Sequence, residues 1–446
     1  MTGMTFLVMF LVLMILILMV PSFLKRLFVP TVVGIIIVGI AIGPNSFDLI
    51  RHINLLLGRG YPTAQLYLVV DIIGLLGLVF LMVLAGMEAD MQVIKTEKKA
   101  VFWLSILTFL IPAAAGYAVY YHFRPDDFIG QLFYASLFAS HSVGIVFPII
   151  RELKIVRTRF GVAVLASTVI TDILSLILLA VCVQLKRHSI SAPVAGSISI
   201  FDRIPPDLLG SYFIPVFIAS VLLYIALSFW LAPRLSKWFF NYFHPHDDTR
   251  FTLFIAGVLF IVLLGEFVGV SIIVGAFIAG MALVTVTEIH AEKQVLFKKL
   301  QGAGYGFFIP FLFLSIGMKT DLVSLFAAKE NLVIVLFTVG GLVLSKVFSG
   351  WLAMRISQFS NIKGFCAGLM TVPQLSATLA AAVVGLNLGI IPAHFFNAVV
   401  VLSICTTIPI PVLLKLIIVK KNITFYSVDD RAAAKENDIT VEQDYL

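Results

Sequence analysis

Long apolar runs, broken by short polar or Gly/Pro-rich stretches, follow one another along almost the whole chain. A helix needs roughly 20 apolar residues to cross a bilayer. By that measure the runs predict spans over 4–24, 29–43, 66–87, 100–122, 128–150, 160–185, 209–232, 250–268, 270–286, 303–318, 331–354, 363–387 and 393–419. The fold class expected is therefore an all-α polytopic membrane protein of about thirteen helices. The second and ninth spans are short and Gly-rich, and the eighth and ninth are nearly fused around Gly265–Gly269. Outer-membrane barrel strands alternate apolar and polar residues in segments of about 10, a pattern these continuous runs do not follow. The first run has neither a basic leader nor a small-residue cleavage site, so it reads as a span and not a signal peptide.

Composition sharpens this. The 446 residues are 60% hydrophobic and 12% charged, with mean hydropathy +1.07, against roughly 45–50% apolar and about 25% charged in soluble chains. The longest polar stretches, about 186–209 and the tail 420–446, are too short for a separate soluble core. Nothing resembles a nucleotide fingerprint. Cys182, Cys366 and Cys405 lie in apolar runs, without metal-ligand spacing or an evident disulfide partner. The net charge of +7 marks topology and not a nucleic-acid surface. Loops after odd-numbered spans hold seventeen Lys and Arg, the alternate loops eight, and the C-terminal end five more on the first side. The positive-inside rule then predicts a multi-pass protein of the cell (inner) membrane, N-terminus outside and short tail in the cytoplasm. Lipid is its expected partner and nucleic acid is not.

The chain also resembles itself. Val33, Gly34, Ile37, Gly39 and Ala41 of the second span recur as Val274, Gly275, Ile278, Gly280 and Ala282 of the ninth. Phe80, Leu81, Gly86, Met87 and Asp90 at the end of the third recur as Phe311, Leu312, Gly317, Met318 and Asp321 at the end of the tenth. Both pairs lie seven spans apart. An odd offset reverses orientation, so the pattern predicts an inverted-topology repeat with the seventh span as linker, a plan common among secondary transporters. In such repeats the transport site sits near the midplane on discontinuous helices. The fifth span is interrupted by Ser140-His141-Ser142-Val143-Gly144 and Pro148, and the twelfth by Thr371-Val372-Pro373-Gln374-Leu375-Ser376. Pro removes a donor, and the two breaks are expected to bring half-helix ends together in mid-membrane.

Charge at the bilayer centre costs about 2.5 kcal/mol or more and usually marks function. Asp172 lies mid-span with Thr168 and Thr171 as hydroxyl neighbours, and Lys346 mid-span in the eleventh helix. One carboxylate can hold a proton or a dehydrated Na⁺ or K⁺, and the two occupancies exclude each other, which is the chemistry of exchange. Hard cations take oxygen ligands, and Thr171, Thr168, Ser140 and Ser142 are the candidates beside Asp172. Lys346 either pairs with Asp172 when no cation is bound or holds the carbonyl ends of the broken helices. His141 either tunes the pH response or is a hydrogen-bonded structural residue. Glu266 and Asp71 read as interfacial.

Taken in order, these motifs resemble a known family. The Thr171-Asp172 pair, Ser345-Lys346-Val347-Phe348-Ser349-Gly350, the Ser140-His141-Ser142-Val143-Gly144-Ile145 break, Leu264-Gly265-Glu266 with Val274 to Gly280, and Phe313 to Asp321 resemble the second subfamily of monovalent cation:proton antiporters. That group includes NapA-type sodium antiporters and the membrane part of KefC-type potassium systems. The similarity covers about residues 5–420. It implies an NhaA-type fold with two crossed discontinuous helices and a transmembrane antiporter domain over 1–419. It further implies a dimerisation part (about 1–90 and 250–318), a mobile core (about 98–185 and 331–419), the linker helix 209–232, homodimers, and elevator-like movement of the core. The cation and proton site would rest on Asp172, with Thr171, Ser140 and Ser142. Lys346 would be the core charge, and His141, Gly144, Pro373 and Gln374 the helix-break residues. No cofactor is implied beyond the transported Na⁺, Li⁺ or K⁺ and H⁺. Electrogenic members carry two adjacent acids where this chain has Thr171 before Asp172, so the expectation is electroneutral Na⁺(Li⁺)/H⁺ exchange. K⁺/H⁺ exchange or K⁺ efflux is the alternative, without the nucleotide-binding domain that KefC-type proteins carry in cis. A sodium-coupled organic anion symporter or a passive cation channel is the rival of another class. An enzyme is not expected, since no intramembrane acid pair or nucleophile–base pair stands out.

Overall fold

The structure, a computed structural model, describes residues 2–24, 31–56, 63–88, 98–142, 146, 150, 155, 158–189, 199–201, 212–243, 247–284, 290–321 and 328–420. Every regular element among them is helical. In order these are α1 (Thr2–Leu24), α2 (Thr31–Ile42), α3 (Leu49–Leu56), α4 (Thr63–Glu88), α5 (Lys98–Phe123), α6 (Phe128–Ala139), α7 (Arg159–Ser189), α8 (Phe213–Phe243), α9 (Asp247–Phe267) and α10 (Ile272–Val284). They continue with α11 (His290–Ala303), a π-helical turn (Gly304–Phe308), α12 (Ile309–Lys319), α13 (Lys329–Ile356), α14 (Asn361–Thr371), α15 (Ser376–Asn387), α16 (Ala393–Thr407) and α17 (Pro409–Lys420). Among the described residues, seven helices are long and apolar enough to cross a membrane, and six shorter apolar helices accompany them.

Hydropathy placed these elements well and missed local detail. The short helix α3 was not foreseen. Its entry is held by Asp48, whose carboxylate accepts from the Arg51 N–H (3.3 Å) and the Tyr67 hydroxyl (2.5 Å). The tenth span begins well before 303, because α11 runs through the π turn into α12 without interruption. The near-fusion of the eighth and ninth spans is a tight turn, with Gly269 at φ +84° between α9 and α10.

Burial is inverted relative to a soluble protein. On α13, Leu344 is 72% exposed while Lys346, two residues on, is wholly buried. Leu336 on the same helix, and Leu18 and Leu223 on others, are likewise exposed. Large apolar side chains on the outside and polar ones within suit a hydrocarbon solvent.

The helices pack in two groups. Helices α1, α2, α4, α9, α10 and α12 contact chiefly one another, and so do α5, α6, α7, α13, α14 and α16. Lipid tails are as apolar as Leu, so close van der Waals approach has to hold such helices together, and small residues permit it. In the first group, a methyl placed on Gly39 would overlap the Leu314 carbonyl and come within 2.9 Å of the Gly317 Cα, and one on Gly317 would overlap the Ile36 carbonyl. Likewise, a methyl on Gly86 would overlap the Phe277 carbonyl, and one on Gly280 the Val83 carbonyl. These four make up two of the three glycine pairs of the internal sequence repeat. Exchanging Gly39 for Gly280 and Gly317 for Gly86 converts the α2–α12 crossing into the α10–α4 crossing.

Both crossings predict sensitivity to one added side chain. Gly86→Val or Gly280→Val is expected to cost about 1–3 kcal/mol through overpacking, read as a lower melting temperature of the detergent-solubilised protein. Gly340→Ala, where an added methyl meets nothing within 4 Å, is expected to leave it unchanged or slightly raised.

Candidate functional site

The site forms where α6 stops. Asp127 starts that helix, its carboxylate accepting from the Gly130 N–H (2.9 Å) and the Tyr120 hydroxyl (2.8 Å). At Ser140 the backbone turns extended (φ −59°, ψ 159°), which leaves the last carbonyls of α6 without helical donors. Lys346 supplies one. Its ammonium donates to the carbonyls of Ala139 (2.9 Å) and Ser140 (2.8 Å), and more weakly to that of Thr108 (3.5 Å). Thr108 is available because the residue four positions on is Pro112, inside α5 and without an N–H. The positive charge also meets the negative end of the α6 dipole. Of the two partners weighed for Lys346, the structure has the carbonyl ends. No ion pair joins it to Asp172.

The second break completes the frame. Pro373 cannot donate to Leu369, and the Val372 N–H reaches that carbonyl instead (3.2 Å). Gln374 lies wholly buried in the unwound stretch before α15. Its side-chain amide donates to the Ser140 carbonyl (2.7 Å), and its oxygen accepts from the hydroxyls of Ser140 (3.1 Å) and Thr378. Its own N–H donates to the Thr406 hydroxyl (3.3 Å). Ser140 and Thr378 also share a hydrogen bond of 2.8 Å. The two breaks therefore meet, through side chains from α13, α15 and α16.

Asp172 faces them from the middle of α7. It is 4% exposed, and its Oδ1 accepts the His141 N–H at 2.8 Å, the first amide freed beyond Ser140. Its Oδ2 accepts no hydrogen bond among the described residues. Thr171 does not join it. That hydroxyl turns across to the Ser105 carbonyl on α5 (3.4 Å), and Thr168 bonds back to Val164 (2.8 Å). Ser140 is likewise engaged, by its hydroxyl and its carbonyl. Among the described residues, four buried polar atoms on the break and on α5 have no hydrogen-bond partner: both ring nitrogens of His141, Ser142 Oγ and Ser105 Oγ. Gly144 and Pro148 lie outside the described residues.

The other acids in apolar runs have their own cations. Glu266 pairs with Arg187 at 2.9 Å, and Asp71 with Lys319 at 3.1 Å while accepting from Ser315 (2.6 Å). Sequence reasoning missed Thr378, Thr406, Ser105 and the carbonyl of Thr108. Two of these carried a signal: Thr378 follows Gln374 by one helical turn, and Pro112 exposes the carbonyl of Thr108.

A buried carboxylate on one helix break, with a lysine on that break's last carbonyls, is an arrangement suited to an ion in mid-membrane. Comparisons with known proteins agree. Residues 11–420 match the family described as "Sodium/hydrogen exchanger, transmembrane". A Methanocaldococcus jannaschii protein named "Probable Na(+)/H(+) antiporter 3" is 34% identical over 412 residues, covering 92% of this chain and 96% of that one. The Na(+)/H(+) antiporter NhaS5 of Synechocystis is 28% identical over 91% of this chain and 53% of its own length. Among solved structures, the sodium proton antiporter MjNhaP1 of M. jannaschii has the same fold, with a TM-score of 0.66 at 17% identity over 94% of this chain and 98% of that one. The chain belongs to the sodium/hydrogen exchanger family, whose members are secondary-active cation/proton antiporters and not enzymes. This corrects the narrower resemblance to the second, NapA- and KefC-type subfamily: the family match and the NhaP-type fold point to the exchanger family as a whole.

The lysine geometry makes a prediction about stability. Lys346→Met removes the donor from two strongly held carbonyls, and each buried orphan costs about 1–3 kcal/mol. A large fall in melting temperature is expected in detergent, partly restored in Lys346→Gln, which keeps an N–H donor.

Proposed function

We propose that this protein exchanges Na⁺ or Li⁺ for H⁺, one for one, by alternate occupation of Asp172. The observation that carries the reading is a single carboxylate at the meeting of the two breaks, one oxygen on the His141 amide and the other without a hydrogen bond among the described residues. One carboxylate neutralised by one Na⁺ or by one H⁺ carries the same charge in either direction, so the exchange is electroneutral. Glu266 and Asp71 add no second carrier, since each is paired to its own cation. The names of the relatives support sodium as the ion.

The architecture proposed with it is thirteen spans in an inverted repeat, the two discontinuous helices crossing at the site. The reciprocal glycine crossings support the repeat, and the two packing groups support a division into a dimer-forming scaffold (about 1–90 and 250–318) and a mobile core (about 98–185 and 331–419), joined by the helix 209–232. The core carries Asp172 across the membrane in an elevator movement within a homodimer. The Lys/Arg bias supports an outside N-terminus and a cytoplasmic tail in the inner membrane.

Proteoliposomes holding a pH-sensitive dye and an imposed proton gradient test the exchange. Addition of Na⁺ or Li⁺ is expected to move protons at a rate that does not change when the membrane voltage is clamped at different values. Asp172→Asn is expected to abolish that movement. A voltage-dependent rate refutes one-for-one exchange, and full transport by Asp172→Asn refutes the site.

A further inference from the structure

Buried polar groups in proteins are almost always hydrogen-bonded, and the exceptions call for an explanation such as an ion or a water. Around the site the exceptions are selective. Thr108, Ser167, Thr168, Ser175, Ser345 and Ser349 each donate back to a carbonyl of their own helix, the usual arrangement for a hydroxyl in a helix. Ser105, buried on α5, does not, and neither does Ser142 in the break.

The position of Ser105 follows from its neighbours. Its carbonyl receives the Thr171 hydroxyl, so it stands opposite the residue next to Asp172. One turn further along α5, the Thr108 carbonyl meets Lys346. Ser142 follows the amide that caps Asp172. Ser105 is thus linked through its carbonyl to the residue next to Asp172, Ser142 adjoins the amide bound by Asp172, and both hydroxyls are open among the described residues. The oxygens expected from sequence, those of Ser140 and Thr171, are engaged elsewhere.

We infer that Ser105, a residue of the helix before the broken pair, is a cation ligand at the Asp172 site and, with Ser142, sets its preference among Na⁺, Li⁺ and K⁺. This rests on the Asp172 exchange proposed above. The chemistry fits. Alkali cations are hard and take oxygen donors, and a hydroxyl supplies a lone pair without adding charge, so the one-for-one stoichiometry is untouched. Two hydroxyls, one on α5 and one in the break, also fix a spacing, and spacing is what separates a small cation from a large one when the donor type is the same. Ser105, Ser142 and the His141 ring are buried polar groups without a hydrogen-bond partner among the described residues.

The test is cation-dependent proton movement in proteoliposomes for the parent and four variants. Loss of one hydroxyl contact to a charged group changes affinity by about tenfold. Ser105→Ala is expected to raise the half-saturating Na⁺ concentration by about that factor, keep the maximal rate at saturating Na⁺, and change the Na⁺:Li⁺:K⁺ ratio. Ser105→Thr, which restores a hydroxyl, is expected to recover Na⁺ affinity. Ser167→Ala, whose hydroxyl serves its own helix, is expected to match the parent. An unchanged affinity and ion ratio in Ser105→Ala, with Asp172→Asn inactive, overturns the role of Ser105 alone. Transport by Asp172→Asn overturns the underlying site as well. A Ser105→Ala protein that loses maximal rate at every cation with no change of ion ratio also overturns the ligand role, because a packing defect acts on all ions alike.

Discussion

Inside a bilayer no water is available to a free carbonyl or amide, so each must be satisfied by the protein itself. This chain breaks that rule on purpose in two places, at Ser140–Ser142 and Val372–Leu375, and loosens it in a third, at Pro112. What repairs the breaks is also what builds the site. Lys346 answers the carbonyls left by α6 and by Pro112, Gln374 answers Ser140 again from the other break, and Asp172 answers the His141 amide. A lysine and an aspartate in the interior are expensive alone. Here each is an obligatory hydrogen-bonding partner of backbone that has nowhere else to turn. The polar site and the interrupted helices are one solution to one constraint, and neither stands without the other.

The other group of helices obeys a different economy. Where α4 meets α10 and α2 meets α12, backbones touch through Gly86, Gly280, Gly39 and Gly317, with no room for a methyl group. Such crossings have little capacity to slide, because the contact depends on register to within a side chain. The polar junction, in contrast, is made of long and rotatable groups: a lysine, a glutamine and several hydroxyls. The second group has a tight crossing of its own, Gly350 of α13 against Gly368 of α14, so it combines a close backbone contact with adjustable polar ones.

Much of this was legible in the sequence, and the reasons are physical. Hydropathy reports length in a solvent of known thickness, so every predicted span has helical residues within it. The glycines at 39, 86, 280 and 317 stood out because close packing leaves a repeated pattern. Asp172, Lys346 and the two breaks stood out because charge and proline are rare in such company. What was not legible depends on direction across helices. Thr171 sits beside Asp172 in sequence yet its hydroxyl faces α5, since neighbours on a helix lie about 100° apart. Ser105 carries no sequence mark at all, and its open hydroxyl is visible only once its neighbours are seen to be occupied. The family branch was misread for a related reason. Glycine pairs, a lone acid and a buried lysine follow from the physics of carrying an ion through broken helices, so short motifs made of them do not separate one branch of antiporters from another.

The capping of His141 by Asp172 links occupancy to the shape of the broken helix. Asp172 Oδ1 is held by an amide whose helix has been interrupted, so any charge placed on Oδ2 acts on the same carboxylate that fixes the break. A proton or a sodium ion drawing on that carboxylate weakens its hold on the amide to different degrees, because a proton forms a covalent O–H bond and a cation keeps an ionic contact that other oxygens share. Lys346 is held by the Ala139 and Ser140 carbonyls and not by Asp172, so the end of α6 has a partner independent of that carboxylate. Under the exchange proposed above, the two loaded forms are equal in charge and differ in how tightly the break is pinned. Selection of the ion then lies in the oxygens that share the load with Asp172, and coupling to movement lies in the amide that gives way.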